Sequence, residues 1–125
     1  MTTNPAGGGR LTTHVLDTAA GTPATGVAIA LFRLSGDGGR TLLREATTNR
    51  DGRCDGPLLA GVEFVAGTYE LVFRVGEHFA RGGVTLPEPA FLSEVPVRFG
   101  ISDPQAHYHV PLLISPYGYS TYRGS

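Results

Sequence analysis

An antiparallel β-sandwich is the fold class that this 125-residue sequence predicts. Eighteen glycines and nine prolines make up more than a fifth of the chain, a share that suits a turn-rich β protein and not a helical bundle. Turn signals recur at regular spacing, at Gly21-Thr22-Pro23, Ser35-Gly36-Asp37-Gly38-Gly39, Arg50-Asp51-Gly52, Ala66-Gly67, Gly82-Gly83, Pro87-Glu88-Pro89 and Pro116-Tyr117-Gly118. The segments between them are short β-branched or aromatic runs, and seven or eight such runs predict a sandwich.

Residues 1–10, MTTNPAGGGR, read as a flexible leader without the apolar segment of a secretory signal, so the single domain is expected over 11–125. Strands are expected near 11–16, 27–33, 41–48, 53–59, 68–75, 91–100, 107–115 and 118–123, with one short helical turn at 76–81. Alternation assigns faces, because neighbouring side chains of a strand point to opposite sides. In the first strand Leu11, Thr13 and Val15 share one face, and Thr12, His14 and Leu16 the other. Val27, Ile29 and Leu31 share a face of the second. In 107–115, Val110, Leu112 and Ile114 lie on one face, and His109, Pro111 and Leu113 on the opposite one. A strand apolar on both sides predicts that its outer face is covered, in a chain this short by another subunit. Ser120 and Tyr122 share a face of the last strand.

Charge and composition exclude several classes. Charged residues are 17% and hydrophobic residues 41%, which argues against bulk disorder. The net charge is −1 and no block of like charges occurs, so no nucleic-acid or anionic-lipid footprint is present. No apolar run approaches the roughly 18 residues of a membrane-spanning helix. The single cysteine, Cys54, rules out an intramolecular disulfide and a cysteine-based zinc cluster; a reducing cytoplasm is the expected compartment.

His107 and His109, two apart on one strand face, form a possible metal pair, but no third ligand is evident, and no metal is expected. His14 and His109 taken alone read as half-exposed strand histidines, Arg53 as a solvated turn residue, and Cys54 as a small structural residue. Asp17 and Asp103 sit at turn-like positions and are expected to accept hydrogen bonds there. No nucleophile elbow, phosphate-binding loop or dinucleotide fingerprint occurs. The end of the chain is unusual. SPYGYSTYRGS packs three tyrosines, an arginine and several serines into a segment that is ordinarily featureless, which suggests a docked strand.

Four stretches, LTTHVLDTAAGTPATGV, TTNRDGRCDGPLL, FLSEVPVRFGI and above all HYHVPLLISPYGYSTYRGS, resemble the 5-hydroxyisourate hydrolases of the transthyretin-like family. The resemblance spans roughly residues 11–125, and the terminal Tyr122-Arg123-Gly124-Ser125 is its most specific part. It implies a transthyretin-like sandwich assembled as a homotetramer, a dimer of dimers with sites at the dimer–dimer interface. It implies hydrolytic opening of the pyrimidine ring of 5-hydroxyisourate to 2-oxo-4-hydroxy-4-carboxy-5-ureidoimidazoline in urate degradation to allantoin, without metal or organic cofactor. Residue by residue, it places His14, Arg53, His109 and Tyr122 in the active site, with Ser120 and Ser125 adding polar contacts; alternation puts Leu113 on the same outer surface, where it is expected to add an apolar contact to substrate binding. The alternative is a transthyretin-type carrier binding a small molecule in the channel between dimers. Against it stand the paired histidines and the YRGS ending.

Overall fold

A computed structural model describes residues 8–124. Most of the expected leader, residues 1–7, lies outside the described residues, as does Ser125. Chain order within them is β1 (Arg10–Asp17), β2 (Thr22–Pro23), β3 (Ala28–Leu34), β4 (Arg40–Thr47), β5 (Leu59–Ala60), a 3-10 turn (Gly61–Glu63), β6 (Gly67–Phe73), α1 (Val75–Arg81), β7 (Val95–Ile101), β8 (His107–Ser115) and β9 (Gly118–Thr121). Two sheets face each other. One runs β2-β1-β8-β9 with β5 added to β1, and the other runs β4-β3-β6-β7.

The alternation expected from sequence is the burial pattern observed. Leu11 and Val15 of β1 and Val110, Leu112 and Ile114 of β8 point inward. They meet Ile29 and Leu31 of β3, Tyr69, Leu71 and Phe73 of β6, and Val95, Val97 and Ile101 of β7 in one core. Burying each of these large side chains contributes about 1.5–3 kcal/mol. Of the buried polar residues, Thr13 donates its hydroxyl to the Val110 carbonyl at 2.7 Å, which offsets the cost of burying it.

Three expectations change in detail. The sandwich is not wholly antiparallel, because β1 and β8 pair in parallel from Arg10↔His107 to Asp17↔Ile114. The run expected as a strand over 53–59 shrinks to an isolated bridge between Arg53 and His14 and the two-residue β5. Gly56-Pro57 interrupts it, since proline cannot donate to a ladder. The strand expected from residue 91 begins at Val95. The preceding residues pack instead on the start of α1, where the Gly76 amide donates to the Ser93 carbonyl at 3.0 Å.

Helix α1 buries Val75, Gly76 and Phe79. It is tied to β1 by the Nε2 of His78 against Oδ2 of the buried Asp17, 2.8 Å apart. Asp17 also accepts the Ala20 amide at 2.9 Å, and Asp103 accepts the Gln105 amide at 2.9 Å, the turn roles expected of both.

Candidate active site

The parallel register of β1 and β8 builds the floor of the site. It sets Thr12 beside His109 and His14 beside Pro111, so Thr12, His14, His107 and His109 all emerge on the outer face of the sheet. The His14 and His109 rings lie 6.4 Å apart between centroids, tilted by 40°. His107 and His109 are 6.1 Å apart.

A tight loop delivers Arg53 to this floor. The Asn49 side-chain oxygen accepts the amides of Asp51 (2.8 Å) and Arg53 (3.2 Å), while the Asn49 amide donates to the Arg53 carbonyl at 2.7 Å. These contacts close the turn locally, as an asparagine side chain can mimic a backbone turn. Gly52 takes φ +75, and a Cβ there would stand 2.4 Å from the Val15 carbonyl oxygen. The Val15 amide in turn donates to the Gly52 carbonyl at 2.8 Å, which staples the loop to β1 and puts Arg53 opposite His14.

The end of the chain forms the other wall. After β9, the Arg123 guanidinium lies over the Tyr108 ring at 4.1 Å from its centroid, and its Nη2 donates to the His107 carbonyl at 3.4 Å. Tyr108 is fixed from behind, because its hydroxyl accepts the amides of Ser102 and Asp103, each at 3.0 Å. The Gly124 amide donates to the His109 carbonyl at 2.7 Å. A Cβ on Gly124 would come within 2.6 Å of the His109 Cδ2, so only glycine lets the backbone pass this close to the imidazole.

The result is a cleft of about 580 Å3 that His14, Arg53, His109 and Tyr122 all line, with His107 and Thr12 beside them. Two guanidiniums, of Arg10 and Arg53, reach it, and among the described residues its lining contains no carboxylate. The imidazoles respond to that field. Burial, then the Arg53 charge, holds His14 below the ordinary imidazole value, against an opposing hydrogen bond to the Asp51 backbone. Burial, then Arg53, His107 and His14, lowers His109. Burial, then Arg10, lowers His107. The site therefore holds neutral imidazoles beside fixed positive charge, a setting for proton abstraction near neutral pH and for an anionic ligand. Burial pushes the Cys54 thiol up, so it stands in the cleft as a thiol and not a nucleophilic thiolate.

The four residues expected to be catalytic thus converge. Leu113 and Ser120 face each other across β8 and β9, farther along the same sheet, and are not part of the cleft lining. Ser125 lies outside the described residues. Sequence reasoning passed over Thr12, whose hydroxyl lies 2.7 Å from His107 Nε2 and 2.8 Å from His109 Nδ1. Its parity with His14 was the available signal.

Among known proteins, the profile of the HIUase/Transthyretin family matches residues 11–124. A 5-hydroxyisourate hydrolase 2 of Rhizobium meliloti (strain 1021) is 66% identical over 117 residues, which span 94% of this chain and 97% of that protein. The solved structure of Klebsiella pneumoniae 5-hydroxyisourate hydrolase is 39% identical, with a TM-score of 0.75 over 93% of this chain and 99% of that one. Sea bream transthyretin in complex with thyroxine superposes with a TM-score of 0.81 at 30% identity, over 92% of this chain and 94% of that one.

Proposed function

The chain belongs to the HIUase/Transthyretin family, and from that premise we propose that it is a hydrolase that opens the pyrimidine ring of 5-hydroxyisourate to 2-oxo-4-hydroxy-4-carboxy-5-ureidoimidazoline. One observation carries this reading: His14, Arg53 and His109, from three separate segments, meet in one cleft of a chain 66% identical to a 5-hydroxyisourate hydrolase. Fold does not choose between hydrolase and carrier, since both kinds of relative superpose on it. The site chooses.

Ring opening adds water to a ring carbonyl and breaks the adjacent C–N bond, so the oxygen becomes part of a carboxylate and the nitrogen leaves with a proton. In the proposed mechanism a neutral imidazole takes the proton of the attacking water, and the imidazolium so formed supplies the proton that the departing nitrogen needs. His14 and His109 divide this work. Arg53 holds the carbonyl and the anionic edge of the substrate with its planar donors and stabilises the developing oxyanion. The Tyr122 hydroxyl orients water or substrate at the wall of the cleft. Ser120, Ser125 and Leu113 are the proposed substrate-binding residues.

We further propose that the protein works as a homotetramer, a dimer of dimers with sites at the dimer–dimer interface. Supporting this, β7 and β9 are unpaired sheet edges flanking an apolar groove that includes Val97, Phe99 and Tyr122, and Tyr119 and Tyr122 are largely exposed in the single chain. The cytoplasm is the proposed place of action, and one free cysteine, Cys54, is compatible with it.

The test is direct. 5-Hydroxyisourate, generated from urate with urate oxidase, should lose its absorbance much faster when this protein is added. Thyroxine binding with no acceleration of that decay would instead make the protein a carrier.

A further inference from the structure

We propose that Thr12 and His107 are positioning residues that hold His109 by its Nδ1 and thereby fix which of its nitrogens meets the reacting water. This inference rests on the hydrolase reading and extends it to residues that do not themselves touch the reacting bond.

Proton counting carries it. The Thr12 hydroxyl has one hydrogen, yet it sits 2.7 Å from His107 Nε2 and 2.8 Å from His109 Nδ1. It can donate to only one of them, so at least one imidazole donates an N–H to the Thr12 oxygen. A neutral imidazole carries a single N–H, so the three groups form a donor chain in one of two directions, or both rings donate to the two lone pairs of the Thr12 oxygen, which leaves His109 protonated at Nδ1 as in the first direction. In the first, His109 Nδ1–H donates to Thr12, and Thr12 donates to His107 Nε2. His109 then presents a lone pair at Nε2, which is a base. In the second, His107 Nε2–H donates to Thr12, and Thr12 donates to His109 Nδ1. His109 then presents N–H at Nε2 and accepts nothing there.

The first direction is the working one. When His109 takes a proton at Nε2, its Nδ1–H stays donated to Thr12, and no hydrogen bond has to break. A histidine base is ordinarily oriented by a carboxylate on its second nitrogen. Here the lining of the cleft offers His109 no carboxylate among the described residues, and the Thr12–His107 pair occupies the place one would hold. The pair is itself fixed by the fold. Thr12 lies beside His109 in the parallel register, and His107 is pinned through its carbonyl by Arg123.

The experiment combines turnover of 5-hydroxyisourate with 15N spectra of histidine-labelled protein, which report the tautomer of each ring. Wild type should show His109 protonated at Nδ1. Thr12→Val, close in shape but unable to hydrogen-bond, should release that tautomer and lower kcat about 10-fold or more, with KM within about two-fold. Thr12→Ser should restore both. His107→Phe, which removes the far end of the chain, should loosen the same tautomer. Wild-type kcat together with an unchanged His109 spectrum in Thr12→Val would overturn the role of Thr12, and the same result in His107→Phe would overturn that of His107. Wild-type protein that leaves 5-hydroxyisourate untouched would defeat the hydrolase reading instead, and the spectra would still decide whether Nδ1 is held.

Discussion

Arg53 acts on two imidazoles at once. Its charge is the second largest influence on both His14 and His109, after burial, and it pushes both below the ordinary histidine value of 6.5. The base must be neutral to work, so activity should persist below pH 6.5 and fall only on the acid side of that value. Removing the guanidinium removes a like charge, which lets both imidazoles protonate at higher pH. Arg53→Ala is therefore expected to lower kcat/KM by about 100-fold, as loss of an oxyanion donor does, and to move the acid limb of the pH profile upward. An unchanged kcat/KM would remove Arg53 from the mechanism. How legible these residues are in the sequence differs from one to the next. His14 and His109 fall on outward positions of alternating strands, so the outward orientation of each can be read directly. Arg53 follows a turn and looks solvated, and only the family resemblance singles it out. Thr12 is an ordinary β-former on a β-strand, and its two imidazole partners lie 95 and 97 residues away, beyond any local pattern.

At the scale of elements, two short segments that are not regular strands place the chemistry. The loop 49–55 depends on the left-handed Gly52, and the tail depends on Gly124 having no side chain. Gly52→Ala must adopt a strained φ and push against the Val15 carbonyl, so it should cost about 1–3 kcal/mol of stability, measured by denaturant unfolding. Gly124→Ala should behave differently. Its methyl group would meet the His109 ring and not the core, so turnover should fall by about 100-fold with the melting temperature nearly unchanged. A large loss of stability with normal kcat would reverse that assignment. These segments also mark where sequence patterning fails. A strand is expected over 53–59, but Gly56-Pro57 breaks the ladder and leaves a bridge and a two-residue strand. Conversely, the β8 boundaries at 107–115 are legible to the residue, because turn residues bracket a long apolar run.

The whole molecule is a sandwich whose inner faces supply stability and whose β1–β8 outer face supplies the floor of the cleft. Periodicity reveals the two faces, and with them most of the core. It does not reveal that β1 and β8 are parallel neighbours, because no hairpin signal links segments so far apart in sequence, and that pairing is what brings Thr12 and His14 next to His109. The most direct measurement is the rate of 5-hydroxyisourate decay with purified His14→Asn and His109→Asn proteins beside wild type, each checked for native circular dichroism. The expected result is a fall in kcat of about 100-fold or more in each variant, with the β-sheet signal intact. Two folded variants that both turn over at the wild-type rate would contradict it.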